Sequence, residues 1–194
     1  MKRREFVQST LVGTAAVSGV APAQTRLSAT PSDYEGPFYR RGPRQRESDL
    51  IVGAPRAPLL RWIGRLLDRA GKPIVDAHIE IWQTDPLGRY DHPDDSSPGA
   101  RWTDFRYWGE SQSADSGRFR FRTYVPGAYG GRPAHIHFKV WRNDQVTLTS
   151  QVYFRQLGGT QGASRHRRGA DLQTANLIEV SASEQRIDFD IVLG

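Results

Sequence analysis

The stretch RWIGRLLDRAGKPIVDAHIEIWQTD, residues 61–85, decides the fold class. It holds a strand, a turn over residues 68–73 built on Asp, Gly and Pro, and a second strand. In that second strand Ala77, Ile79 and Ile81 alternate with His78, Glu80 and Trp82. Period-two alternation marks a half-buried strand, so two strands about a tight turn predict a hairpin. DSGRFRFRTYVPGAY, residues 115–129, repeats the design: a turn, then Phe119 and Phe121 on one face and Arg118, Arg120 and Arg122 on the other. RPAHIHFKV, SQVYF and RIDFDIVL supply further strands, the last with Ile187, Phe189, Ile191 and Leu193 on one face. Many short strands with turns between them, and no amphipathic helix, predict an all-β fold. The expected architecture is an antiparallel β-sandwich with long site-shaping loops and an extended N-terminal arm.

The 194 residues suit one domain with a single sizeable core. Three segments are expected. Residues 1–23 have a basic start, a weakly apolar stretch and a small-x-small site at Ala21 and Ala23. With Arg3 and Arg4 in RREF they predict a twin-arginine export signal, and hence a periplasmic or extracellular protein. Residues 24–58, rich in Pro, Gly and Arg, predict an extended arm over the surface, and residues 59–194 the sandwich. Two segments, 91–114 and 156–176, are expected as long loops. The first carries Trp102, Phe105, Tyr107 and Trp108, a cluster that suits a site-shaping loop and equally a flap packed over one end of the sandwich. The net charge is +6, of which Lys2, Arg3 and Arg4 against Glu5 supply +2. The remaining arginines are interleaved with acids and carry no nucleic-acid-binding motif, so no nucleic-acid partner is expected. The apolar stretch of the signal is too short and too rich in glycine to span a bilayer, so no stable membrane insertion is expected.

With no cysteine in the chain, a metal can be held only by nitrogen and oxygen donors. Of five histidines, His135 and His137 stand one residue apart on a strand, where side chains i and i+2 share a face. Two imidazoles on one face can share an ion, or simply form a polar edge. Trp141 and Arg142 occupy the window in which a cupin would place its glutamate, and no carboxylate completes a two-histidine, one-carboxylate triad. Tyrosines lie nearby instead: Tyr90 after the strand ending at Trp82, and Tyr129 before the histidine strand, both in turns at strand ends. A phenol titrates near pH 10 and is a poor ligand for divalent ions, whereas a trivalent ion favours its phenolate.

The ordered set TPSDYEGPFY (30–39), EIWQTDPLGRYDH (80–92), FRTYVPGAYGGRPAHIHFKV (121–140), SQVYF (150–154) and FDIVL (189–193) resembles the intradiol ring-cleavage dioxygenases, most nearly their protocatechuate-cleaving, iron-bearing members. The resemblance implies non-haem Fe(III) held by Tyr90, Tyr129, His135 and His137, with Tyr129 and His137 axial. It further implies that Arg132 and Gln151 face a catechol-type substrate, that Tyr129 takes a proton from it, and that Arg132 stabilises the anionic ring attacked by O2. The product implied is of the cis,cis-muconate type. Only Gly130 and Gly131 separate Tyr129 from Arg132, a shorter interval than in the protocatechuate-cleaving members. His78, His92 and His166 match no ligand position, and His92 is expected to be a solvated loop residue. Two rival readings stay open: a metal-free transthyretin-like β-sandwich binding module, and a non-catalytic dioxygenase-like subunit. Self-association as a homo-oligomer is also open.

Overall fold

The computed structural model describes residues 26–41, 46–158 and 173–194. The expected export signal lies outside these residues, as does His166. Within them the chain forms two five-stranded sheets and no α-helix, only a short 3-10 turn at Arg155–Leu157. No helix among them is long and apolar enough to cross a membrane.

The first sheet is built on β1 (Leu59–Asp68), which pairs antiparallel with β4 (Arg118–Tyr124). On its other edge β1 meets β9 (Glu184–Asp188) and β10 (Ile191–Leu193), both parallel, and β8 (Ile178–Ser181) pairs with β9. The second sheet runs in the order β3 (Trp108–Gln112), β2 (His78–Trp82), β5 (His135–Arg142), β6 (Gln145–Phe154) and β7 (Thr174–Ala175), with β7 parallel to β6. The sheets pack face to face as a sandwich. Trp62, Phe119, Phe121 and Ile187 from one meet Ile79, Ile81, Ile136, Phe138 and Val140 from the other. The Trp62 and Phe138 rings meet at 5.5 Å, and the Trp62 indole N–H donates to the Phe189 carbonyl at 2.9 Å.

Four expectations are corrected. The sandwich is not purely antiparallel, because the C-terminal strands return to β1 by a crossover and lie parallel to it. The expected hairpin of residues 61–85 does not form: β1 and β2 belong to different sheets. Its turn does form, with Asp68 Oδ1 accepting from the Ala70 and Lys72 amides, and Ile74 N still bonds Leu66 O. The chain then leaves at Asp76, whose φ of 56° is tolerated by an aspartate and redirects β2 into the opposite sheet. The third correction concerns RIDFDIVL, which is one strand interrupted rather than continuous. Ile63 faces Asp188 and Leu66 faces Ile191, so β9 and β10 keep one register. At the gap the Asp190 carboxylate accepts from Arg65 N at 2.8 Å, replacing the backbone acceptor. Finally, the loop expected over residues 91–114 ends in β3. Its Phe105 and Tyr107 rings are buried in the core.

Residues 26–41 run without regular structure from one sheet to the other. Leu27 N bonds Arg69 O, and Thr30 N bonds Val192 O at the edge of the first sheet. Asp33 N then bonds Thr149 O on the second. This crossing covers the outer face of the second sheet, where Glu80, Trp82, His135, His137 and Lys139 are all buried.

Candidate metal centre

Alternation along β5 places Ile136, Phe138 and Val140 in the core and His135 and His137 on the covered outer face. Across the antiparallel ladder His137 faces Trp82 on β2 and Gln151 on β6, while His135 faces Tyr153. The Trp82 ring stacks on His137 at 4.9 Å with 10° between planes. On the opposite side a Cβ built on Gly36 would lie 3.0 Å from His137 Cε1, and the φ of Gly36 is +80°. Glycine there lets the crossing segment press on the imidazole.

Two loops bring the tyrosines in. Asp85 organises the first: its Oδ1 accepts from Leu87 N and Arg89 N, and its Oδ2 from Arg89 Nε and the Tyr107 hydroxyl. Asp95 then accepts from Tyr90 N at 2.5 Å. Gly88 abuts the second loop so closely that a Cβ would lie 2.2 Å from Ala128 O, and Gly127 N bonds Asp85 O. The second loop is a two-residue turn in which Gly130 and Gly131 have φ of 55° and 75°. Tyr129 and Arg132 exchange both backbone hydrogen bonds across it. The Gly-Gly pair therefore sets Tyr129 beside Arg132.

The four expected ligands converge. Ring centroids lie 5.0 Å apart for Tyr90 and Tyr129, 5.5 Å for Tyr129 and His135, 4.7 Å for His135 and His137, and 6.4 Å for Tyr90 and His137. His135 Nδ1 pairs with the Pro133 carbonyl at 2.7 Å, which turns its Nε2 toward His137 Nε2, 3.1 Å away. Phe38 closes the cluster, 4.7 Å from the Tyr90 ring and 5.7 Å from Tyr129. Arg132 donates from Nη2 to Gln151 Oε1 at 2.6 Å and to the Tyr153 hydroxyl at 2.7 Å, and from Nη1 to Tyr129 Oη at 3.3 Å. A cleft of about 420 Å³ opens beside Tyr129 and Arg132, bounded by Gly130, Gly131, Pro133 and Leu157.

Electrostatics keep the nitrogen donors ready. Burial, reinforced by the Arg132 charge, pushes His135 down to about 3. Burial, then His135 and Arg132, hold His137 well below its usual value. Both imidazoles are thus neutral, with lone pairs available. Burial and the neighbouring Tyr129 raise the Tyr90 phenol well above its usual value, so it stays protonated unless a cation compensates. Its buried hydroxyl has no well-aligned hydrogen-bond partner. An orphaned phenol, two neutral imidazoles with facing Nε2 atoms and a second phenol form a donor set that fits a hard trivalent ion. Among the described residues no group of three or more His, Asp or Glu side chains could hold a metal.

The structure also brings in residues not expected from sequence. Tyr153 lies on the same strand face as Gln151, two residues on, so period-two alternation placed it within reach. The sequence places Trp82 only on the alternating face of β2, and Gly36 and Phe38 only in the arm. His92, expected in solvent, is largely covered and packs 5.6 Å from Phe38. His78 stays apart, with Nδ1 2.8 Å from Glu110 Oε1.

Comparison with known proteins identifies the family. The family model described as "Dioxygenase" matches residues 34–161. The chain is similar to the protocatechuate 3,4-dioxygenase beta chain of Burkholderia cepacia, at 34% identity over 110 residues, covering 53% of this chain and 47% of that one. It is similar also to chlorocatechol 1,2-dioxygenase of Cupriavidus pinatubonensis, at 32% over 162 residues, covering 71% of this chain and 60% of that one. The chain therefore spans about half to three fifths of the length of these curated relatives. Among solved structures it resembles the dioxygenase domain of a dioxygenase carbohydrate-binding protein fusion from the cellulolytic bacterium Streptomyces sp. SirexAA-E. The TM-score is 0.69 at 29% identity, with 86% of this chain and 98% of that one covered.

Proposed function

The chain belongs to the intradiol dioxygenase family, and from that premise we propose that it cleaves a catechol-type ring with O2 to a cis,cis-muconate-type product. The cofactor in this reading is non-haem Fe(III), held by Tyr90, Tyr129, His135 and His137. The observation that carries it is the convergence of those four side chains beside a clasped arginine at a cleft.

Fe(III) bound there supplies a Lewis acid that favours phenolate and catecholate over their protonated forms. The chain does the rest. Tyr129, half-buried at the cleft, accepts a catechol proton at Oη. Arg132 keeps its charge despite partial burial: desolvation lowers its pKa, but Tyr153 and Tyr129 more than offset this and raise it. Its planar guanidinium can stabilise negative charge developing on the ring. Gln151 holds that guanidinium, and its own Nε2 donates to the Tyr34 carbonyl at 2.5 Å. Phe38, Trp82 and the backbone at Gly36 exclude water from the inner face of the donor cluster. Residues 1–23 support twin-arginine export, which a fractionation of cells expressing the full chain tests.

The test is a visible absorption spectrum of the iron-loaded protein before and after anaerobic catechol, followed by oxygen uptake over catechol, protocatechuate and hydroxyquinol. A phenolate-to-iron charge-transfer band that shifts with catechol, then oxygen consumption, is expected. A colourless protein that retains no iron sinks the reading and favours a metal-free sandwich module.

A further inference from the structure

We infer that Tyr153 is a positioning residue that holds the Arg132 guanidinium in place at the cleft. The inference rests on the dioxygenase reading above and extends it to the placement of its arginine.

Tyr153 is buried on β6, directly across the ladder from His135, with ring centroids 5.2 Å apart. Its hydroxyl accepts from Arg132 Nη2 at 2.7 Å and donates to Gln151 Oε1 at 2.7 Å, while that same oxygen accepts from Arg132 Nη2 at 2.6 Å. The three groups form a closed ring of hydrogen bonds, and Gln151 ties the ring to the Tyr34 backbone. Arg132 has a third partner, the Tyr129 hydroxyl at 3.3 Å. That partner is the weakest by distance. The bonds to Tyr153 and Gln151 are shorter, and charge-assisted bonds of this length are among the stronger ones available. The phenol ring adds rigidity, since its packing on His135 fixes where the hydroxyl lies. Without the Tyr153 hydroxyl, Gln151 would be the one short contact left to the guanidinium.

The test separates this role from packing. Tyr153→Phe keeps the ring on His135 and removes only the hydroxyl. In the iron-loaded enzyme kcat should fall about tenfold while KM changes by less than about twofold, because the guanidinium is displaced from charge that develops after binding. The charge-transfer band should be unchanged. A second readout needs neither iron nor turnover: 15N NMR of the arginine side chains in the metal-free protein, with the Arg132 signals identified by their loss in Arg132→Ala. Slow, separately resolved Nη signals are expected in the wild type and their averaging in Tyr153→Phe. Unaltered Arg132 signals, an unaltered kcat, or an equal loss in kcat and in the iron band would each overturn the assignment. So would a Tyr153→Phe protein that melts more than about 8 °C below wild type, which marks a structural residue. If the wild type takes up iron without colour or turnover, the dioxygenase reading fails, while the NMR comparison still decides whether Tyr153 holds Arg132.

Discussion

Tyr90 carries a buried hydroxyl with no well-aligned partner, a feature that costs stability unless something binds it. Tyr90→Phe removes that cost along with a proposed ligand. The metal-free variant should therefore melt at or above the wild type, by up to about 1 kcal/mol in stability, yet lose iron and colour. Calorimetry of both metal-free proteins, paired with iron analysis, checks the two halves separately. The imidazoles make a second prediction. His135 and His137 are held neutral by burial and by Arg132, and their unfolded counterparts protonate near pH 6.5. Below that value the unfolded state binds more protons, so stability is full above about pH 6.5 and is lost as pH falls toward about 3, by up to about 1.4 kcal/mol per unit per site. Melts of the metal-free protein between about pH 7 and pH 5 should show the decline. A flat profile would contradict the burial of uncharged histidines. These residues were legible because His-x-His on a strand and tyrosines at strand ends are chemically specific. Tyr153 was not, since a tyrosine in an apolar strand is most simply a packed ring, and only its place opposite His135 and its hydrogen bond from Arg132 reveal its hydroxyl's work.

At the scale of elements, alternation in β4 and β5 was legible because each has one face against the core. β1 and β2 were separately legible too, but not their partners. The local turn chemistry at Asp68 and Gly71 is genuine, and sheet choice is fixed five residues after Gly71 by a left-handed Asp76, where aspartate is tolerated rather than demanded. Parallel pairing of β9 and β10 depends on contacts more than a hundred residues apart in sequence, which no local pattern encodes. Gly64 records that pairing. A Cβ there would lie 2.3 Å from the Phe189 carbonyl and 2.6 Å from Phe119 Cζ. Gly64 thus allows the interrupted C-terminal strand to close on β1 over the Trp62 ring. Gly64→Ala should destabilise the fold by about 1–3 kcal/mol through overpacking. Denaturant unfolding measures the loss, and the iron spectrum of the folded fraction should be unchanged because β1 lies in the other sheet.

Across the whole molecule, the segment from Leu27 to Arg40 joins both sheets to the candidate centre. It is tied to β10 through Thr30, whose Oγ1 accepts from Val192 N at 2.9 Å, and it reaches the second sheet at Asp33. There Gly36 presses on His137, Phe38 on Tyr90, and the Tyr39 hydroxyl donates to Glu80 Oε2 at 3.0 Å. Composition marked this segment as an extended arm, but its close fit depends on side chains that meet only after both sheets have formed. Its strongest electrostatic tie is Glu35 to Lys139, at 2.5 Å, with the Lys139 ammonium 3.3 Å from the Tyr39 ring centroid. Lys139 lies on the same face of β5 as His137, one pleat along, and is 5% exposed. Glu35→Ala strands a buried ammonium and should cost about 1–3 kcal/mol, below the loss for a wholly buried pair because Glu35 is partly in water. Lys139→Met removes the charge while keeping apolar bulk under Tyr39, and should cost less. Because the same segment carries Gly36 against His137, Glu35→Ala should also release iron to a chelator faster than Lys139→Met does. Equal release rates in the two variants would show that the segment covers the centre without helping to hold it.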